Sequence, residues 1–129
     1  MINVPISLGE LVDKVSILKI KLLKMNNEKL LNVQKEYSLL LKIMIENGIT
    51  EENEMFYNLY ELNLKFWNYH DWQREKWKNN DDNLIDIELY KKNKNEHILN
   101  DKRAEIKKNI NVMFKSSIIE EKQFISYSI

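Results

Sequence analysis

A chain of 129 residues that holds two glycines and one proline cannot make many tight turns. Sheet proteins reverse direction every few residues and lean on Gly and Pro to do so. This chain must fold from a few long elements, and its apolar residues recur at helical spacing. Residues 2–6, INVPI, are short, extended and apolar, with Pro5 favouring an extended residue before it. Ser7-Leu8-Gly9-Glu10 then has the S-x-x-E form of a capping box, in which Ser7 accepts from the Glu10 amide and Glu10 reaches back to Ser7. A first helix is predicted from there to about Met25. Its stripe of Leu8, Leu11, Val12, Val15, Leu18, Leu22, Leu23 and Met25 is wide enough for a central helix. Glu10, Asp13, Lys14 and Lys21 lie opposite, with Ile17 and Ile20 among them.

A second helix is predicted over about 28–47, capped by Asn26 or Asn27 and ended by Gly48. Leu30, Val33, Tyr37, Leu40, Leu41, Met44 and Ile45 form its inner face. A third begins after Thr50, with Glu51 and Glu52 in the first turn where the helix dipole favours them, and runs to about Lys78. NNDDN at 79–83 breaks the pattern. Helix resumes over about 84–114, with an interruption expected near 93–95. Ser117-x-x-Glu120 repeats the capping-box form and predicts a short last helix. FISYSI at 124–129 reads as a tail or a short extended piece. The expected fold is all-α, an antiparallel bundle of about four to five helices in a single domain.

Composition narrows the function. Formal net charge is zero, which gives no electrostatic case for nucleic acid as a partner. There is no cysteine, so thiol catalysis and Cys-ligated zinc are excluded. Two histidines, His70 and His97, do not make a His-rich metal site, and neither a metal nor a cofactor is expected. Glu51, Glu54 and Glu61 have the carboxylate spacing of helical magnesium-dependent pyrophosphohydrolases, but they fall on a polar face and read as solvated charge. No Gly-rich phosphate loop is present. No run of residues is apolar enough for a membrane span and MINVPISLGE lacks a signal-peptide pattern, so no membrane partner and a cytoplasmic location are expected.

Polar residues on apolar faces carry the functional reading. At about 100° per residue, Leu99, Ile106, Ile110, Met113 and Phe114 share one arc, and Arg103 falls inside it with Lys107 at its border. The third helix repeats this: Phe56, Leu59, Tyr60, Trp67 and Trp77 share an arc that also holds Asn63, His70 and Arg74, with Asp71 at its edge. His70 reads there as a tucked histidine. Lysines outnumber arginines eighteen to two, and both arginines lie on such arcs. A buried cation is costly unless paired. Glu10, Asp13, Asp71, Glu120 and Glu121 are candidate internal partners. An anionic ligand is the other solution, gripped by Arg74, Arg103 and Lys107, with Asn63 and Asn111 adding neutral hydrogen bonds and Trp67 lining the wall.

Four blocks, GELVDKVSILKIK at 9–21, FWNYHDWQRE at 66–75, NDKRAEIKKNIN at 100–111 and SSIIEEKQF at 116–124, resemble a family of small bacterial and phage proteins of unknown function. The resemblance spans nearly the whole chain. It singles out Glu10, Asp13, Lys14 and Lys21, then Trp67, Asp71 and Arg74, then Asn100, Asp101, Arg103, Lys107 and Asn111, then Ser117, Glu120, Glu121 and Lys122. Lys19 stands where that family usually has Glu, and His70 where it often has an acid, so roles needing those carboxylates do not carry over.

Two functional readings follow. In the first, the bundle binds a small anionic metabolite, a nucleotide sugar or sugar phosphate, in a polar pocket between helices. Asp13 and Glu120 would orient the cations there, and Glu10, Asp13, Asp71 or Glu120 could serve as acid or base. In the second, the chain is a non-catalytic interaction module or accessory subunit whose Arg–carboxylate network is structural. Trp67, Trp72, Trp77, Tyr57, Tyr60 and Tyr69 crowd the third helix and do not all fit one buried face. That crowding predicts a homodimer or protein partner on that helix.

Overall fold

A computed structural model describes residues 1–79 and 86–123. Four helices make up the fold: α1 (Leu8–Lys24), α2 (Leu30–Glu46), α3 (Glu54–Asn79) and α4 (Ile87–Met113). The all-α bundle is as expected, and no strand occurs among the described residues. α1 is central and packs on each of the other three, α3 pairs with α4, and α2 packs on α1 alone. Leu11, Val12, Val15, Met44, Ile49, Phe56, Leu59 and Ile110 bring all four helices into one apolar core. Ile20, placed on the polar side of α1 by its spacing, is 1% exposed, because a helix packed on three neighbours keeps little wet surface.

Helix ends show where local chemistry won and where it lost. Gly48, at φ +83°, closes α2 as expected. The Ile49 and Gly48 amides reach back to the Met44 and Ile45 carbonyls in a Schellman pair, and Ile49 and Met44 are both buried beside it. α2 has no side-chain cap at Lys29; Asn27 instead accepts from the Lys29 amide in the preceding turn. α3 starts three residues later than predicted. Residues 50–53 form a turn, and the Asn53 carboxamide oxygen caps Met55 and Phe56. That turn frees Glu51 to accept from Lys19 at 2.7 Å and from the Tyr37 hydroxyl. The Lys19 ammonium also lies over the Phe56 and Tyr60 rings, so one cation ties α1 to the α2–α3 connection and to α3. Ile45, expected inward, is half exposed because α2 has only one helical neighbour.

α4 runs through 93–95 without interruption. The predicted last helix at Ser117 does not form. Lys115 takes the left-handed conformation at φ 54°, and the Ser116 amide bonds the Asn111 carbonyl at 2.8 Å, a second Schellman-type stop. Beyond it residues 116–123 run as a non-helical tail, and Glu120 is drawn to Ser7 rather than to a local cap. The NNDDN break at 79–83 lies largely outside the described residues, as does FISYSI. No helix among the described residues is long and apolar enough to cross a membrane.

Candidate functional site

Where α1, α3 and α4 meet, the core turns polar. Asp13, Ser16 and Asn63 are all below 7% exposed. The Asn63 amide nitrogen donates to Asp13 Oδ1 at 2.7 Å and to Ser16 Oγ at 2.8 Å. Ser16 Oγ in turn donates to the Asp13 carbonyl at 2.7 Å. Asn63 Oδ1 accepts from Arg103 at 3.1 Å, and Asn100, one turn back on α4, takes the other guanidinium nitrogen at 2.6 Å. The guanidinium lies 4.5 Å from the centre of the Phe66 ring. Lys107, the next turn of α4, donates to Glu10 at 2.6 Å and sits 3.5 Å from Asp13. Lys14 stands 3.8 Å from the other oxygen of Glu10.

These contacts set the charges. The hydrogen bond from Lys107 pulls the Glu10 carboxyl below its ordinary value, against a smaller opposing effect of burial. Burial works against the Lys107 ammonium, but Glu10 and Asp13 together outweigh it and raise its pKa. Both partners are therefore ionised across neutral pH. Among the described residues no buried side-chain nitrogen or oxygen lacks a partner.

A second cluster closes the start of α1. Helix N-termini leave orphan amides. Here Leu8 N–H is taken by Ser116 Oγ at 3.0 Å, Gly9 N–H by Asn111 Oδ1 at 2.6 Å, and Glu10 N–H by Ser7 Oγ at 3.1 Å. Ser7 Oγ then donates to Glu120 at 2.9 Å, and Asn111 reaches the same carboxylate oxygen at 3.4 Å. Only half of the expected capping box exists, because the Glu10 carboxylate is spent on Lys107. A carboxylate held at this helix end also suits the dipole. Gly9 lets α1 lie on α4: a Cβ there would stand 2.4 Å from the Lys107 carbonyl oxygen.

Of the residues singled out in the sequence, Glu10, Asp13, Asn63, Asn100, Arg103, Lys107, Asn111 and Glu120 come together, with Lys14 at the edge. Arg74 and Asp71 do not join them. Both are exposed: burial along α3 ends at Phe66, and their arc continues past it. His70 is likewise exposed, paired with Glu96 at 2.8 Å rather than tucked inside. Trp67 is half-buried, Lys21 lies two turns along α1 from Lys14, and Glu121 pairs with Lys108 on the surface at 2.9 Å. Periodicity alone missed Ser16, Phe66 and Ser116. Ser16 was legible as the residue one turn after Asp13, and Phe66 as the neighbour of Trp67 one turn after Asn63.

Arg103, Lys107, Lys108, Asn111, Glu120 and Lys122 line a notch of about 90 Å³ beside the polar cluster. Glu10 and Asp13 answer Lys107, and Glu121 answers Lys108. Arg103 is held by amide oxygens and a ring and acts on Glu10 at a distance, and neither it nor Lys122 has an ion pair among the described residues. The notch shares Ala104, Lys108, Glu120 and Lys122 with a groove of about 500 Å³ whose other walls include Asp101, Glu105 and Glu121. No group of three or more potential ligand side chains suited to a metal ion occurs among the described residues. No family model, no curated protein and no solved structure matches this chain.

Proposed function

We propose that this protein binds a small anionic metabolite, a sugar phosphate or nucleotide sugar, with its phosphate in the notch beside Arg103. The observation that carries the reading is the state of that arginine. It is half-buried, fixed by two neutral carboxamides and a phenyl face, and no carboxylate pairs with it directly; Glu10 feels its charge only at a distance. A guanidinium held rigid in this way suits bidentate recognition of phosphate. The notch holds about three waters' worth of volume, the size of one phosphate group and no more. The adjoining groove offers Asp101, Glu105 and Glu121, carboxylates that accept hydrogen bonds from sugar hydroxyls. The binding place is thus the flank of α4 and the tail, while the interior between the helices is filled by its own side chains.

The test is a thermal-shift titration with inorganic phosphate, hexose phosphates and nucleotide sugars. A ligand at 100 times its Kd adds about 2.7 kcal/mol of stability. Sugar phosphates should stabilise more than phosphate, and Lys122→Ala and Arg103→Met should each weaken the effect. No shift from any of the panel, or shifts unchanged in both variants, refutes the reading.

A second reading, a protein-interaction module, is favoured by a separate observation. The distal half of the α3–α4 pair has no buried side chain and carries partly exposed rings.

A further inference from the structure

Burial along α3 ends at Phe66. No side chain from residue 67 to 79 is buried, and none from 87 to 109 on α4. About 20 Å of paired helix therefore stands out as an arm. The α3 face that meets α1 in the body continues along this arm as Trp67, His70, Asp71, Arg74, Trp77 and Lys78. Steps of three, one, three, three and one are those of a helix–helix seam. Trp77 is 56% exposed on it. Asp71 and Arg74, one turn apart, form no ion pair with each other or with any described residue.

We propose that this face is a two-fold self-association surface, on which a second copy of the chain lays its own α3 arm antiparallel. The inference rests on the second reading above and is independent of the phosphate notch. An antiparallel two-fold between residues 72 and 73 sets Trp67 against Lys78 of the second copy and Asp71 against its Arg74. Each match occurs twice, as an isologous interface requires. A ring faces a lysine, and a guanidinium faces a carboxylate. This reciprocal order of charge and ring selects a second copy over an unrelated partner. An arm of this length buries less than a standard interface, so the dimer is weak and concentration-dependent.

Sedimentation velocity across the micromolar range tests this on the full chain. The wild type should pass from monomer to dimer with rising concentration. All three tryptophans lie on the arm, so their emission should shift over the same range. Arg74→Asp and Asp71→Arg each set like charges opposed twice and should weaken the dimer by about tenfold or more. The doubly swapped chain should recover it. Both positions are exposed, so circular dichroism melts of the dilute variants should match the wild type. A wild type that stays monomeric throughout overturns the proposal. So does a dimer indifferent to the single swaps, which would place association on the exposed apolar residues of α2 instead, and so does a double swap that fails to recover.

Discussion

Gly9→Ala pits two effects of known size against each other. Alanine is favoured over glycine inside a helix by about 1 kcal/mol, so propensity alone predicts a more stable protein. Packing predicts the reverse. The added methyl would lie 2.4 Å from the Lys107 carbonyl oxygen and 3.0 Å from Asn111 Oδ1. The first is backbone in mid-helix and cannot swing away, so α1 and α4 must part by about an ångström to restore contact distance. Parting them stretches the 2.6 Å Gly9–Asn111 bond and the 2.6 Å Lys107–Glu10 pair. Overpacking costs about 1–3 kcal/mol and a strained or lost buried hydrogen bond a further 1–3. Net of propensity, the variant should lose about 1–5 kcal/mol, read as a lower urea midpoint with unchanged slope. Gly48→Ala is the control. Nothing lies within 4 Å of its Cβ position, so only the left-handed backbone at φ +83° opposes it, a cost of about 1–2 kcal/mol. A Gly9→Ala protein as stable as wild type would refute the close crossing of α1 and α4, and with it the closure of the α1 N-terminus.

Lys115→Gly should stabilise by about 1 kcal/mol, since Lys115 holds a left-handed φ that glycine adopts without strain; a lower urea midpoint would contradict this. Asn63→Ala strands Asp13 Oδ1 and an Arg103 N–H together and should cost about 2–4 kcal/mol by chemical denaturation, with Ser16→Ala costing less. The Glu10–Lys107 pair makes stability depend on acid. A carboxyl whose folded pKa is lowered contributes fully above its unfolded value of 4.5, and that contribution fades as pH falls through the folded pKa. Glu10 is a third exposed, so the effect should stay below about 1 kcal/mol. Urea midpoints between pH 6 and pH 3 should accordingly fall less steeply in Lys107→Met than in the wild type.

The helices were legible because their signals are local. Gly48 and the apolar stripe of α1 needed no partner to be read. Arg103 and Asn63 announced themselves for a similar reason: a polar residue on an apolar arc is conspicuous in one dimension. Arg74, His70 and Trp77 do lie on the arc that faces α1, but periodicity states a direction and not a length, and burial along that arc ends at Phe66. Ser117-x-x-Glu120 has the form of a helix start, yet Ser7, 113 residues away, and Asn111, 9 residues away on α4, hold Glu120 elsewhere. Competition of that kind is decided by tertiary contact, which spacing along a single segment does not encode.

The start of α1 is finished by atoms made about a hundred residues after it. Leu8, Gly9 and Ser7 find partners at residues 116, 111 and 120. A ribosome synthesises the central helix well before its closing groups. During elongation α1 therefore has an open N-terminus and a polar stripe whose arginine and lysine do not yet exist, whereas α3 and α4 are adjacent in sequence and can pair as soon as both emerge. The nascent chain should acquire full protease resistance only once residues 111–120 have emerged, rather than helix by helix. Removing residues 116–123 should delay or abolish that step even though they belong to no helix.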